Sequence, residues 1–128
     1  MTNVNFPVGD FLISFKNSVL ARKSTMSCQN TKLIKSVAEA LKEAGYITSV
    51  AEGDDNTLDI RIAYKSKKPL LMGLKIVSKP GLRIYKGAEE IKKIKGPSMF
   101  VVSTPKGILL SKKAIKLGVG GEVVAEVW

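Results

Sequence analysis

The chain has 128 residues, enough for one average domain or two small ones, and its composition of 45% hydrophobic and 25% charged residues is that of a globular protein. Its 21 Lys and Arg residues against 11 Asp and Glu give a net charge of +10, which favours a polyanionic partner, either nucleic acid or an anionic membrane surface. The absence of His excludes a Ser-His triad and most catalytic zinc sites, and the single Cys excludes an intrachain disulfide and a multi-Cys metal cluster.

The positive charge is concentrated in one half of the chain. Residues 1–60 hold 6 basic and 7 acidic residues, whereas residues 61–128 hold 15 basic and 4 acidic ones. This asymmetry indicates that the second half faces the polyanion, the alternative being a solvated surface that only keeps the protein soluble. No secretory leader and no apolar run of ~20 residues is visible, so we expect a cytoplasmic protein without membrane contact, in which Cys28 is a reduced, structural thiol.

The first half predicts two helices packed on one face of a small sheet. Pro7 suits the first position of a helix, Asn30 or Thr31 can cap a second one, and Gly45 can end it. Hydrophobic periodicity gives the following elements in chain order: a helix at 7–21, a loop at 22–29 with room for a short extended piece, a helix at 31–44, and strands at 46–50, 58–64 and 70–77.

The second half predicts short strands with short helices. A break at residues 78–81 divides the chain into an α-β-α-β-β subdomain at 1–78 and a β-rich subdomain at 79–128. The predicted fold class is therefore α+β, with a second subdomain that is mainly antiparallel β. Ser111 is expected to cap a small helix that Gly118 ends. The elements of this half are strands at 82–85, 99–103, 108–110 and 121–128, a helical turn at 89–95, and a helix at 112–117.

The acidic residues do not predict an active site, and no cofactor is expected. Glu122 and Glu126 are four apart on one predicted strand, so parity places them on the same face as possible ligands. The glycines of residues 118–121 lack the strand, Lys and Ser/Thr of a phosphate-binding loop. A small enzyme is the alternative that these features disfavour. The remaining acidic pairs fit structural roles: Asp54 and Asp55 solvated in a turn, and Glu89 and Glu90 at a helix N-terminus.

The polar turn at residues 103–107 fits a binding protein better. It offers two hydroxyls, a cation and a flexible glycine, which suit base edges, sugar hydroxyls and phosphates. Arg83, Tyr85 and Lys86 add a guanidinium, an aromatic face that can stack on an unpaired base, and an ammonium. An ordinary turn and a half-buried strand residue are the alternatives, but the basic surroundings favour RNA.

Several ordered motifs resemble the bacterial small-subunit ribosomal protein eight family over essentially the whole chain. The specific ones lie in the second half, and the first half agrees more loosely through Pro7, Asn17, Thr31–Leu33 and Gly45–Ile47. The specific motifs are Pro80–Lys86, Val102–Gly107, Val119–Val123 and Val127–Trp128.

This resemblance implies a two-subdomain fold and a primary rRNA-binding protein that grips an irregular helix in the central domain of 16S rRNA and helps assemble the subunit platform. It also implies neighbouring ribosomal proteins as partners, a monomer outside the ribosome and, in some members, repression of their own operon mRNA. Gly120–Glu122 would pack beside the polar turn. The RNA-binding residues expected from the resemblance and from the polar loops are Ser103, Thr104, Pro105, Lys106, Gly107, Tyr85, Lys86, Arg83, Gly120, Gly121, Glu122, Thr31 and Lys32.

Three positions depart from the family pattern. Pro105 stands where the family usually has a second Ser, and it supplies neither a hydroxyl nor an N–H. Phe6 replaces the usual Asp, and Lys16 replaces a frequent Arg. A DNA-binding or nucleoid protein is the remaining alternative, but the basic helix predicted at 112–117 is too short for a recognition helix.

Overall fold

The computed structural model describes residues 7–94 and 96–128 and shows an α+β fold, as predicted. Phe6 and Lys95 lie outside these residues. No helix in the described part of the chain is long and apolar enough to cross a membrane. The helices are α1 (Pro7–Leu20), α2 (Lys32–Glu43), α3 (Ala88–Lys92) and α4 (Ser111–Leu117). The strands are β1 (Thr25–Gln29), β2 (Ile47–Glu52), β3 (Thr57–Ile62), β4 (Tyr64–Lys65), β5 (Lys68–Pro69), β6 (Leu74–Ile76), β7 (Tyr85–Lys86), β8 (Met99–Thr104), β9 (Gly107–Leu110) and β10 (Gly121–Val127).

The first half forms the predicted α-β-α-β-β unit. Strands β1, β3 and β2 pair antiparallel in that order, and β3 alternates buried and exposed residues as its sequence predicts. Helix α2 begins after Thr31, whose Oγ1 accepts a hydrogen bond of 3.1 Å from the Ile34 N–H. It ends at Glu43, Ala44 is its C-terminal cap, and Gly45 follows with φ +95°, a conformation that glycine adopts without strain. The predicted capping of α2 is therefore confirmed.

The short extended piece that the prediction allows within the loop at residues 22–29 is the five-residue strand β1. Strand β1 pairs with β3 along its whole length, from Thr25 opposite Arg61 to Gln29 opposite Thr57. Only Met26 and Cys28 turn inward, and both are half-buried. Two inward residues are too few for a recognisable period, so tertiary pairing rather than local pattern determines this strand.

The second half forms a sheet in the order β6-β10-β8-β9, with β7 also paired to β10. The strand predicted at 70–77 is shorter than expected, because only Leu74–Ile76 is a strand, and it joins this second sheet. One hydrophobic core contains residues from both halves of the chain. The division into two subdomains at residue 78 therefore stays a prediction. Large side chains from both halves meet in that core, among them Phe15, Leu41, Ile60, Val101 and Val127.

Two local predictions in the second half are wrong. The strand predicted at 82–85 is wrong over residues 82–84, where the described structure has only an isolated bridge between Lys79 and Leu82, and regular pairing begins at Tyr85. Ser111 lies inside α4 rather than capping it, since its buried Oγ accepts a hydrogen bond from the Phe100 N–H at 3.1 Å. Gly118 ends α4 with φ +67°, as predicted.

The acidic pairs occupy the structural places expected of them, with one exception. Asp54 and Asp55 are exposed in the turn between β2 and β3, and Glu90 accepts a hydrogen bond from the Gly87 N–H at the start of α3. The exception is the pair Glu122 and Glu126 on β10. A β-bulge between residues 123 and 125 lies between these two acids. Their partners on β8 are three residues apart, so the two acids lie on opposite faces of the sheet and the parity prediction is wrong.

Ser78 is a buried polar residue that the sequence does not single out. It is 0% exposed, and its Oγ donates a hydrogen bond of 2.6 Å to the Val123 carbonyl and accepts one of 2.9 Å from the Ile84 N–H. These bonds attach the segment before β7 to β10. Ser78 thus positions Arg83 and Tyr85.

Replacing Ser78 is expected to destabilise the fold. Ser78→Ala leaves a buried carbonyl and a buried N–H without their partner, which costs about 1–3 kcal/mol in the free energy of unfolding. Chemical denaturation measures this loss, with the exposed Ser49→Ala as the matched control. An equal, small effect in both variants contradicts the structural role of Ser78.

Candidate nucleic-acid interface

The polar turn connects β8 to β9 as a tight hairpin. Thr104 faces Gly107 in the last strand pair, and Pro105 and Lys106 form the exposed turn. The Thr104 Oγ1 donates a hydrogen bond of 2.8 Å to the Gly107 carbonyl and accepts one of 3.1 Å from the Lys106 N–H. Pro105 suits this place because its ring fixes φ near −65°, and Gly107 supplies a φ of +108°. The Thr104 hydroxyl therefore holds the turn together.

The Ser103 hydroxyl is differently placed. It forms no hydrogen bond within the described residues, and the side chain is half-buried. Ser103 pairs with Glu122 on one side and with Ile108 on the other, and Glu122 pairs with Tyr85. Directly paired residues share a face of the sheet, so Tyr85, Glu122, Ser103 and Ile108 form one row across four strands, which we call the Ser103 row. Tyr85 is 68% exposed at its end.

A cavity of about 150 Å³ lies beside the Ser103 row and joins the two halves of the chain. Within it, Arg83 Nη1 lies 3.2 Å from Glu122 Oε2, so this ion pair holds the Glu122 carboxylate in place. The first half contributes the starts of α1 and α2, where the family resemblance already pointed to Pro7 and to Thr31–Leu33. The lining residues are Pro7, Val8, Leu33, Arg83, Ser103, Ile108, Glu122 and Val124.

A second concavity, of about 410 Å³, lies between α2 and the polar turn. Lys32 and Lys106 both line it, and neither has an ion pair within the described residues. Lys35 also lines it, but its Nζ lies 2.9 Å from Glu52 Oε1, and this hydrogen bond raises the pKa of Lys35. The structure thus brings Lys32 close to the turn, as the prediction of a common surface requires. Thr31 lies at the same end of α2, where its hydroxyl caps the helix.

Gly120 and Gly121 allow β10 to start directly against its neighbours. A Cβ on Gly121 would collide with the Ser103 carbonyl oxygen and lie 2.8 Å from its carbonyl carbon. A Cβ on Gly120 would lie 2.7 Å from the Ala88 nitrogen and 2.7 Å from the Gly87 carbonyl carbon. The prediction that this segment packs beside the polar turn is confirmed. The pairing of Gly121 with Lys86 completes the contact and leaves Lys86 half-buried.

Other reactive groups in the described residues do not add a catalytic or metal site. No three His, Cys, Asp or Glu side chains there are grouped to hold a metal ion. Burial, followed by the Asp59 carboxylate, raises the pKa of the Cys28 thiol, so Cys28 stays protonated at neutral pH.

The chain is similar to known proteins over nearly its whole length. A family model described as ribosomal protein S8 matches residues 7–128. Proteins named small ribosomal subunit protein uS8 are 42% identical in Persephonella marina, 38% in Chloroflexus aurantiacus and 36% in Paracidovorax citrulli. These matches cover 95%, 98% and 94% of this chain and 97%, 99% and 95% of the relatives, respectively. The chain therefore belongs to the ribosomal protein S8 family, whose members are rRNA-binding components of the small ribosomal subunit in the cytoplasm and are not enzymes.

Proposed function

We propose that the chain binds the central domain of 16S rRNA as a primary binding protein, as a monomer, and so helps assemble the platform of the small subunit. The observation that carries this proposal is the Ser103 row, in which an available hydroxyl, a fixed carboxylate and an exposed aromatic ring share one face. Family membership supports rRNA as the ligand class.

The Ser103 row suits an irregular RNA helix with an unpaired base. The deep major groove of A-form RNA is closed to side chains, so proteins read minor-groove hydroxyls, phosphates and splayed bases. The Ser103 hydroxyl is free to donate to such a group, and Tyr85 can stack on a base, which is worth about 1–3 kcal/mol. The Glu122 carboxylate, held by Arg83, can accept a hydrogen bond from a base amino group.

A competition experiment tests the proposed ligand. A labelled central-domain fragment of 16S rRNA is bound to the chain at about 0.15 M salt and competed with unlabelled fragment, duplex DNA or a fragment from another rRNA domain. We expect only the central-domain fragment to compete at stoichiometric concentration. Equal competition by duplex DNA would favour a nucleoid protein, and equal competition by the other rRNA fragment would contradict the central domain as the site.

The same surface also makes translational repression a candidate function. An operon mRNA folded into the same irregular helix would present the same groups to the Ser103 row. We therefore propose that such an mRNA competes with the rRNA fragment. It can be added as a further unlabelled competitor in the same experiment.

Lys32 and Lys106 are expected to contact phosphates. Each single change to Ala should weaken binding of the rRNA fragment and reduce the slope of log affinity against log salt by about 1, without changing the preference for that fragment. Titrations over a range of salt concentrations measure this slope. Lys65→Ala, an equal loss of charge in the exposed β4–β5 hairpin, is the control and should leave the slope unchanged.

A further inference from the structure

Trp128 marks a second surface, at the opposite end of β10 from the Ser103 row. Because a strand rises about 3.3 Å per residue and the β-bulge shortens β10, Gly121 and Trp128 lie at most about 23 Å apart. The Trp128 indole lies on Gly73, where a Cβ would come within 2.8 Å of its Nε1. The Trp128 carbonyl accepts a hydrogen bond of 2.7 Å from the Met72 N–H, and the Trp128 N–H donates one of 3.1 Å to the Gly73 carbonyl. The ring is thus fixed, and 41% of the residue remains exposed.

Two concavities, of about 320 and 470 Å³, surround this point and share Lys16 in their lining. Their exposed apolar side chains are aliphatic apart from the indole, and Leu20 and Met72 are 69% and 80% exposed. We call this surface the tryptophan face, and its apolar members are Ile13, Leu20, Met72 and Trp128. Aliphatic side chains gain little from nucleotides but stabilise a protein contact by about 25 cal/mol for each Å² buried, and Met is enriched at protein interfaces.

The tryptophan face carries a net positive charge, and the one acid directly paired with a lining cation is Glu126, opposite Lys75 in the described β6–β10 pair. The described residues that line the two concavities include no Asp or Glu. None of the five cations has an ion pair within the described residues, and the Arg22 guanidinium donates a hydrogen bond of 3.1 Å to the Lys67 carbonyl. The five cations are Lys16, Arg22, Lys68, Lys75 and Lys79. A partner that covers the apolar side chains must therefore also bring carboxylates.

We propose that the tryptophan face binds an amphipathic protein segment that carries aliphatic side chains flanked by Asp or Glu. Helices with one apolar face are typical occupants of grooves of this kind. Charge complementarity adds association rate and specificity to the apolar contact. This proposal does not depend on rRNA binding, because the Ser103 row lies at the other end of β10.

The single Trp of the chain makes the test direct, since Trp128 fluorescence reports occupancy of its own surface. The probe is a synthetic helical peptide of about 18 residues with Leu on one face and Glu on the other, and its control carries Gln in place of Glu. We expect the acidic peptide to shift Trp128 emission to the blue and to bind about tenfold more tightly than the Gln peptide at low salt.

Three variants localise the binding. Leu20→Asp and Met72→Asp, both at exposed positions, should weaken the acidic peptide by about tenfold and leave affinity for the rRNA fragment unchanged. Leu117→Asp, on the exposed side of α4, is the matched control and should change neither. Failure of the acidic peptide to bind, equal binding of the Gln peptide, or tighter occupancy of Trp128 by a short oligo(U) RNA would each overturn the proposal, the last making the face a nucleic-acid surface.

Discussion

A Gly121→Ala variant is expected to lose both stability and rRNA binding. The added methyl group would occupy the place of the Ser103 carbonyl oxygen, so β10 and β8 must separate where Glu122 pairs with Ser103. Forcing an extra methyl group into such a contact typically costs about 1–3 kcal/mol, and more where backbone rather than a flexible side chain must move. Chemical denaturation measures the loss of stability, and titration with the central-domain fragment measures the loss of affinity.

The control for this variant is Gly87→Ala, which lies close to the same surface. A Cβ on Gly87 meets only Glu90 Oε1 at 3.9 Å, and Gly87 has an ordinary φ of −73°. Its free energy of unfolding should therefore fall by less than that of Gly121→Ala, by about 1 kcal/mol at most, because Gly87 is the N-cap residue of α3, where Gly is preferred to Ala. If Gly121→Ala is as stable as Gly87→Ala and binds rRNA equally well, the close contact between β10 and Ser103 is not required.

The elements that the sequence predicts well are those whose signals are local. Helices α1 and α2 have an apolar face at helical spacing and recognisable ends, and each observed end lies within one residue of its prediction. The sequence allows for β1 only as a short extended piece without defined ends, because β3 supplies its pairing from more than 25 residues away. The prediction that Glu122 and Glu126 share one face of the sheet is wrong for a related reason. A β-bulge leaves no recognisable pattern in the alternation of apolar and polar residues.

The candidate site likewise has parts that follow from local sequence and parts that depend on contacts between distant residues. The β8–β9 hairpin follows from Pro105 and Gly107, which are only two residues apart in the sequence. The family resemblance points to Lys32, but the contribution of Leu33 to the cavity beside the Ser103 row follows only from packing of α2 against β9. Sequence also treats the hydroxyls of Ser103 and Thr104 as equivalent, whereas the structure gives only Thr104 a bonding role within the turn.

This difference predicts that loss of the Ser103 hydroxyl lowers rRNA affinity but not stability, whereas loss of the Thr104 hydroxyl lowers stability. Ser103→Ala removes a group without a partner in the described residues, so stability should stay within about 0.5 kcal/mol of the parent. Its affinity for the rRNA fragment should fall about 10- to 100-fold, the value of a hydrogen bond of about 1.5–3 kcal/mol to a charged group such as a phosphate. Denaturation and titration of the same preparation measure both quantities.

Thr104→Val should instead lower the free energy of unfolding by about 1–2 kcal/mol, because two hydrogen bonds of the turn are lost. Thr104→Ser keeps the hydroxyl and should preserve both stability and binding. The double variant Ser103→Ala/Thr104→Val should lose specific binding altogether while the remaining core keeps it folded. Unchanged rRNA affinity of the double variant would remove the Ser103 row from the binding site and leave only charge to explain recognition. The loss of stability would in that case show only that the Thr104 hydroxyl holds the turn together.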